Sequence, residues 1–179
     1  TGLSPSSLLS YKSCSLKFYF RYGAGLKEVQ ELEESAEANT FGSILHEALE
    51  NLYKTFVKNR INGQLIKSLK SKIPEAVESS FLNYFSKSEA FLGKNLLQQN
   101  VLKIYVAKLL DFDIEQLRVN GLSDFGIISL EEELSSEIEV NINGAIKTVY
   151  IKGKADRIDD FNGDYRIIDY KSSVSDKDK

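Results

Sequence analysis

At 179 residues, the chain is long enough to bury the core of one domain of ordinary size. Its 42% apolar and 27% charged residues are typical of globular proteins, and no apolar run approaches the length of a membrane-spanning helix. A single cysteine excludes a disulfide framework, and the N-terminus lacks the pattern of a signal peptide, so we expect a cytoplasmic protein. The net charge of −3 argues against a surface that is basic throughout, but it leaves room for a local basic patch that binds DNA.

The two ends of the sequence predict a piece of a longer polypeptide. The chain begins at Thr1, contains no methionine and stops at Lys179, soon after an apolar strand pattern. We therefore expect residues 1–179 to form a single domain excised from a longer protein.

Helical patterns dominate the first two-thirds of the chain. Ser4 and Pro5 indicate the start of a helix within residues 4–24, as N-cap and first helical residue. Apolar spacing predicts further helices over 41–58, 65–69, from Pro74 to Gly93 and over 95–119. The residues predicted to face the core are Phe41, Leu45, Leu49, Leu52, Tyr53 and Phe56 in the first of these helices, and Ala76, Val77, Phe81 and Phe85 in the helix from Pro74. In the last helix they are Leu97, Val101, Ile104, Tyr105, Leu109 and Phe112.

Strand patterns follow in the last third, over residues 125–134, 147–158 and 165–171. They are separated by Asn143-Gly144 and Asn162-Gly163, the pair of residues that best tolerates the positive φ angles of a type I′ hairpin turn. The predicted fold class is therefore α/β with α+β character, in which a helical N-terminal two-thirds packs on a mainly antiparallel β-meander.

The second hairpin places three charged residues together. If Asn162 and Gly163 form its turn, Asp156 faces Asp169 with Cβ atoms roughly 4.5–5.5 Å apart. Lys171 shares that side of the sheet with Asp169, because side chains alternate along a strand. Facing carboxylates are unfavourable unless a proton or a cation lies between them. The pattern indicates a site for Mg²⁺ or Mn²⁺ that hydrolyses phosphodiesters, and its alternative is a solvated charged face.

The neighbouring predicted strand adds an acidic cluster of Glu131, Glu132 and Glu133. A simple register places Glu131 opposite Asp156, but a bulge would shift the pairing by one residue. All three glutamates are therefore candidate acids near the site.

His46, the only histidine, lies on the predicted helix over 41–58. A satisfied core histidine and a metal ligand both fit its position near the apolar stripe. Gly42, one turn earlier, leaves room for another group to approach the backbone beside it.

Candidate DNA-binding residues lie near the N-terminus and next to Asp156. Lys12, Lys17 and Arg21 alternate with aromatic residues, a composition that can pair with and stack on a single strand. A core helix whose basic side chains reach solvent fits that stretch equally well. Arg157 is a further candidate for DNA binding.

Taken in order, four segments resemble the PD-(D/E)XK nuclease superfamily, in particular the exonuclease domains of RecB- and AddB-type proteins. The stretch LSPSSLLSYKSCSLKFYF at 3–20 resembles the N-terminal helix of these domains, and FGSILHEALE at 41–50 resembles their Gly-x-x-x-His helix. GKADRID at 153–159 and IIDYK at 167–171 resemble their second and third motifs.

The resemblance implies roles for individual residues. His46, Asp156, Asp169 and the backbone carbonyl of Tyr170 would bind the metal, and Lys171 would be the catalytic lysine, acting with the two aspartates. It also implies a restriction-endonuclease-like core with a mixed sheet. The function implied is that of a Mg²⁺- or Mn²⁺-dependent DNA exonuclease within a larger helicase-nuclease of DNA repair and recombination.

The sequence departs from that pattern at two places. Members of the family continue past the third motif into a helix with a Gln and a Tyr, which the expected fragment lacks, so the fragment itself is expected to be inactive. Some members hold an iron–sulfur cluster through a cysteine placed like Cys14 and three more, and we expect no cluster here. The alternatives are a non-catalytic DNA-binding or scaffold module on the same fold and an unrelated α+β interaction domain.

Overall fold

The computed structural model describes residues 2–26 and 38–171, and the chain divides into two compact units. The first unit takes in residues 1–32 and 132–155, and the second takes in 33–131 and 156–179. Among the described residues, no helix is both long and apolar enough to cross a membrane.

The first unit begins with helix α1 (Pro5–Ser13), which starts as predicted. The Ser4 hydroxyl accepts a hydrogen bond from the Ser7 N–H at 3.2 Å, and the Ser7 hydroxyl accepts one from the Ser4 N–H at 2.8 Å. The helix does not continue through the segment 4–24, because Cys14 adopts an extended backbone conformation. Helix α2 (Ser15–Phe18) and a π-helical turn (Tyr19–Gly23) follow it.

The second unit contains α3 (Ala38–Tyr53), α4 (Gly63–Leu69), α5 (Ile73–Leu82), α6 (Lys87–Ala90) and α7 (Gly93–Val119). Helix α3 buries the predicted stripe that includes Leu45, Leu49 and Leu52, and it packs against α5. The predicted inward face of the helix that follows Pro74 is also confirmed, since Val77 and Phe81 are fully buried. These side chains form one apolar cluster with residues of α7 and of the sheet.

The inward face predicted for the long helix α7 is wrong. Leu97, Ile104 and Phe112 are 64%, 55% and 56% exposed. The face that is buried consists of Asn95, Gln99, Leu102, Val106, Leu110, Asp113 and Leu117.

Polar partners explain why this less apolar face of α7 is the buried one. Asn95 donates a hydrogen bond to the carbonyl of Glu89 at 3.1 Å, and Gln99 donates one to the carbonyl of Ala90 at 2.6 Å, so both amides satisfy the end of α6. Asp113 accepts a hydrogen bond from the Tyr53 hydroxyl at 2.7 Å. A buried polar group is tolerated where such a partner is present.

The two faces of α7 predict different responses to truncation. We expect Leu102→Ala to lower the free energy of unfolding by about 2–5 kcal/mol, because it leaves a cavity in the core. We expect Ile104→Ala to lower it by less than about 1 kcal/mol, because that side chain is mostly exposed. Urea denaturation of both variants measures the difference, and equal losses would contradict this assignment of faces.

The strands β1 (Asn59–Asn62), β2 (Asp124–Ile142), β3 (Ala145–Phe161) and β4 (Asp164–Ile168) form one sheet in the order β1-β2-β3-β4. Strand β1, which the sequence patterns did not predict, runs antiparallel to β2 with Ile61 opposite Phe125. Strands β3 and β4 are antiparallel in the predicted register, with Ile158 opposite Ile167. The α/β class, with helices followed by an antiparallel meander, is confirmed.

Both hairpin turns have the backbone conformation that was predicted for them. The φ angles are +53° and +83° at Asn143 and Gly144, and +62° and +91° at Asn162 and Gly163. Positive φ at both central residues is the requirement of a type I′ turn, whose twist matches that of the flanking strands. The second turn therefore sets the register in which β3 pairs with β4.

Candidate metal centre

Three side chains converge at one point of the second unit. His46 comes from α3, Glu131 from β2 and Asp156 from β3, and one ligand atom of each lies within 4.8 Å of the others. His46 Nδ1 is 3.3 Å from Asp156 Oδ1 and 3.8 Å from Glu131 Oε1. The structure thus brings together a histidine and two acids that are distant in the sequence.

Of the three candidate glutamates, the structure places Glu131 at this group, where the backbone of β2 is distorted. Glu131 has a φ of +52°, a left-handed conformation that is uncommon outside glycine and typical of a locally distorted strand. Its carboxylate joins the group with His46 and Asp156. Glu132 and Glu133 belong to the first unit and have exposed side chains.

The Tyr170 backbone orients both His46 and Asp156. The Tyr170 carbonyl oxygen lies 3.0 Å from His46 Nε2, and the Tyr170 N–H donates a hydrogen bond to Asp156 Oδ2 at 2.5 Å. When Nε2 carries the proton and donates it to this carbonyl, the lone pair of Nδ1 faces the carboxylates. A histidine that ligates a metal commonly makes such a bond with its other nitrogen.

Burial is the main influence on the charge of Asp156, whose side chain is only 8% exposed. Burial raises the pKa of Asp156, and the neighbouring carboxylates of Asp169 and Glu131 raise it further. The hydrogen bond from the Tyr170 N–H and the proximity of His46 act in the opposite direction on this pKa. A nitrogen lone pair and two carboxylates at these distances repel one another unless a proton or a cation lies among them.

Asp169 lies near this group, and Lys171 forms an ion pair with Asp169. Strand β4 ends at Ile168, so the predicted strand over 165–171 does not extend to either residue. Lys171 Nζ is 2.5 Å from Asp169 Oδ2, and the two side chains are 71% and 55% exposed. Asp169 is close enough to Asp156 to affect its pKa, but its carboxylate contacts Lys171. The roles of Asp169 and of the Tyr170 carbonyl as metal ligands stay predictions, as does the catalytic role of Lys171.

The candidate DNA-binding residues of the first unit are on its surface. Lys12, Lys17 and Arg21 have exposed side chains, and the aromatic rings among them are not core residues, since Tyr11 and Tyr19 are each 60% exposed. The alternative of a core helix with basic side chains that reach solvent is therefore wrong for this stretch.

The expectation that Arg157 binds DNA is also wrong. Its side chain is 1% exposed, and its Nη2 donates a hydrogen bond to Asp113 Oδ1 at 2.8 Å. The guanidinium carbon lies 4.6 Å from the centre of the Tyr53 ring. An arginine enclosed in this way has no access to a phosphate in solvent.

Arg157 belongs to a buried ionic cluster that the sequence patterns did not predict. Its other charged members are Asp113, Asp159 and Arg166. One signal was present in the sequence, because the predicted hairpin register places Asp159 opposite Arg166, as the structure has it. Nothing local to α7 indicated that Asp113 faces them.

Comparison with known proteins agrees with this geometry. The family model of the PD-(D/E)XK nuclease superfamily matches residues 2–179. A curated relative from Carboxydothermus hydrogenoformans, a subunit of an ATP-dependent helicase/deoxyribonuclease, is 30% identical over 185 residues, which cover 95% of this chain and 16% of the relative. The chain thus spans about one sixth of that relative's length. Helices followed by an antiparallel sheet are consistent with the restriction-endonuclease-like fold of the superfamily. The chain belongs to the PD-(D/E)XK nuclease superfamily.

Proposed function

We propose that this chain is the nuclease domain of a larger cytoplasmic helicase-nuclease of DNA repair and recombination. In this proposal it hydrolyses the phosphodiester bonds of DNA as a Mg²⁺- or Mn²⁺-dependent exonuclease. The observation that carries the proposal is the convergence of His46, Glu131 and Asp156 within 4.8 Å. The name of the 30% identical relative, which joins a helicase and a deoxyribonuclease, supports the wider context.

The donor set fits a hard divalent cation. Two carboxylates and one imidazole nitrogen are ligands that Mn²⁺ accepts, and the carboxylates also suit Mg²⁺. His46, Glu131 and Asp156 would hold the ion, and we propose that Asp169 completes its ligands. With the ion at His46 Nδ1, the Tyr170 carbonyl accepts the Nε2 proton on the other side of the ring and orients His46. The carbonyl would be a further ligand only if His46 bound the ion through Nε2. When bound, such a cation polarises a phosphoryl oxygen and stabilises negative charge that develops on the phosphate.

The chain's own residues supply orientation and positive charge. The Tyr170 backbone holds His46 and Asp156 through its carbonyl and its N–H. We propose that Asp169 and Asp156 act in catalysis together with Lys171. The Lys171 ammonium is exposed beside the acids, where it can stabilise negative charge on a phosphate and orient a water molecule.

End-labelled linear DNA and a covalently closed circle of the same sequence test this function. With Mg²⁺ or Mn²⁺ we expect the full-length protein that contains this chain to remove terminal nucleotides stepwise from the linear DNA and to leave the circle uncut, and we expect no reaction when a chelator is present. Calorimetric titration with Mn²⁺ is expected to show binding that His46→Ala weakens. Metal and DNA binding without cleavage would support the non-catalytic module instead, and the absence of both metal binding and cleavage would contradict the proposal.

The exposed basic residues of the first unit are proposed to bind single-stranded DNA. Changing Lys12, Lys17 and Arg21 together to alanine is expected to weaken binding of an oligothymidylate. Three lost phosphate contacts should also reduce the slope of log K against log salt by about 2, at roughly 0.7 per contact with a single strand. Fluorescence anisotropy at several salt concentrations measures both effects.

A matched variant distinguishes the loss of a local DNA-binding surface from the loss of positive net charge. Lys67, Lys72 and Lys108 are exposed residues of the second unit, and their combined change to alanine removes the same charge. We expect the salt slope of this control to stay at the parent value. An equal reduction in both variants would refute a DNA-binding surface at Lys12, Lys17 and Arg21.

A further inference from the structure

A buried ionic cluster lies next to the candidate metal centre in the second unit. Asp113 of α7, Arg157 and Asp159 of β3, and Arg166 of β4 form it. Arg157 Nη2 is 2.8 Å from Asp113 Oδ1, and Arg157 Nε is 3.1 Å from Asp159 Oδ1. Arg166 Nη2 lies 2.7 Å from Asp159 Oδ2 and 3.2 Å from Asp113 Oδ1. Two acids thus alternate with two bases in a closed arrangement.

Aromatic rings enclose this cluster. The Arg157 guanidinium carbon is 4.6 Å from the centre of the Tyr53 ring, 5.4 Å from that of Phe125 and 5.9 Å from that of Tyr170. The residues Asp113, Arg157 and Asp159 are 4%, 1% and 0% exposed. Tyr53 also donates its hydroxyl hydrogen to Asp113 Oδ2 at 2.7 Å.

Stability alone does not account for charged groups in this place. Removing two ions from water costs several kcal/mol per ion, and replacing a buried pair with apolar residues of similar volume is often neutral or stabilising. The buried charges therefore indicate a geometric role. A buried ion pair can instead hold one arrangement of the chain, because hydrogen bonds are directional.

The cluster is linked to both residues on which the metal centre depends, to Asp156 through the chain and to Tyr170 through its ring. Arg157 directly follows Asp156 in β3, so fixing its side chain fixes the backbone beside that ligand. Tyr170, whose ring lies near the same guanidinium, provides the N–H that holds Asp156 and the carbonyl that holds His46. Displacement of Arg157 would thus be transmitted to both candidate ligands.

We propose that Arg157 and Asp113 are positioning residues, whose ion pair holds Asp156 and Tyr170 so that Asp156 Oδ1 and His46 Nδ1 stay at the spacing that a divalent cation requires. This inference rests on the proposed function for its account of the metal. The geometric part, which concerns the position of the His46 ring, is independent of any bound ion.

The experiment uses the double variant Asp113→Leu/Arg157→Met. It removes one acid and one base together, and it leaves the Arg166–Asp159 pair intact. Because His46 is the only histidine of the chain, its ring resonances in an NMR spectrum report on this centre without ambiguity. In the metal-free double variant we expect these resonances to shift, and we expect Mn²⁺ affinity to fall roughly 10- to 100-fold, as for the loss of other groups that orient a ligand.

A matched control removes another ion pair that involves α7. Lys70 Nζ lies 2.5 Å from Asp111 Oδ1, and both side chains are considerably more exposed than the Arg157 pair. Lys70→Met/Asp111→Leu is expected to leave both the His46 resonances and the Mn²⁺ affinity unchanged. Equal shifts in the two double variants would show a general effect of altering α7 and would overturn the inference.

A milder variant decides the case in which the first double variant does not fold. Tyr53→Phe keeps the ring and removes only the hydroxyl that donates to Asp113. We expect smaller changes in the same direction for the His46 resonances and for Mn²⁺ affinity. If the double variant folds, unchanged His46 resonances and unchanged Mn²⁺ affinity in it overturn the inference. If it does not fold, the same unchanged values in Tyr53→Phe overturn it.

Failure of this inference and failure of the proposed function give different results. A parent chain that binds no Mn²⁺ contradicts the metal-dependent function, while the metal-free His46 resonances still test the positioning role. A parent chain that binds Mn²⁺ and a folded double variant that binds it equally well contradict only the role of Asp113 and Arg157.

Discussion

Asp156→Asn is expected to reduce the Mn²⁺ affinity of the chain about 100-fold or more, since loss of a group that merely orients a ligand already costs roughly 10- to 100-fold. The asparagine oxygen can still accept the hydrogen bond from the Tyr170 N–H, so the local backbone should be preserved. What the variant lacks is the negative charge that faces His46 Nδ1 at 3.3 Å. Calorimetric titration with Mn²⁺ measures the loss.

The same substitution is expected to stabilise the metal-free chain at neutral pH. Asp156 is buried and lies near the carboxylates of Glu131 and Asp169, so its charge is unfavourable without a cation. We therefore expect a higher melting temperature for Asp156→Asn than for the parent, and each kcal/mol recovered would correspond to about 2–4 °C in a chain of this size. Asp164→Asn, which makes the same charge change at an exposed position of the same hairpin, should alter neither property.

The pH dependence of this gain follows from the raised pKa of Asp156. Because the folded chain holds this proton more tightly than the unfolded chain, the contribution of Asp156 to stability falls as pH rises from about 4 through the raised pKa. The difference in melting temperature between Asp156→Asn and the parent should therefore be largest at neutral pH and disappear below about pH 4. A difference that grows on acidification would contradict this account of Asp156.

Lys171→Ala is expected to lower the rate of DNA cleavage about 10²- to 10³-fold, the usual effect of removing one group that stabilises charge in a transition state. The Lys171 side chain is 71% exposed and contacts the Asp169 carboxylate, so little packing is lost. The Mn²⁺ affinity is not expected to fall, because the Asp169 carboxylate no longer pairs with Lys171 and stays available to bind the ion. Cleavage of end-labelled linear DNA and Mn²⁺ titration are measured on the same preparation of the full-length protein.

Two further variants isolate the position of the Lys171 charge. Lys108→Ala removes an exposed lysine from α7 and should leave cleavage at the parent rate. Lys171→Arg keeps a positive charge at this position and should retain more cleavage than Lys171→Ala. Full cleavage by Lys171→Ala would refute the catalytic role proposed for this lysine.

Short-range patterns determined much of the hairpin and of two helices. Asn162 and Gly163 favour positive φ by their own chemistry, so the type I′ turn and the register of β3 with β4 followed from two residues. Alternation along the strand also predicted that Lys171 and Asp169 share a side; their side chains form an ion pair, but β4 ends at Ile168, before both residues. Helices α3 and α5 bury the predicted stripes because their apolar residues are confined to one face.

Patterns within one segment failed where partners come from elsewhere in the chain. Helix α7 has apolar residues on two faces, and its buried face carries Asn95, Gln99 and Asp113, whose hydrogen-bond partners lie on other elements. Arg157 looks like a surface cation in the sequence, but Asp113 lies 44 residues earlier and neutralises it in the interior. A charged residue can be buried only with such a partner, and that partner is visible only after folding.

By itself, the sequence determined the α/β class, the two tight turns, the segments that carry the family motifs and the candidate residues His46, Asp156, Asp169 and Lys171. Only the tertiary structure decided that His46 lies beside Asp156, and that Glu131, whose own backbone in β2 is left-handed, lies with them. The reason is physical: turns and amphipathic faces depend on neighbours a few residues away, whereas ligand geometry and buried charge depend on contacts between elements that are distant in the chain.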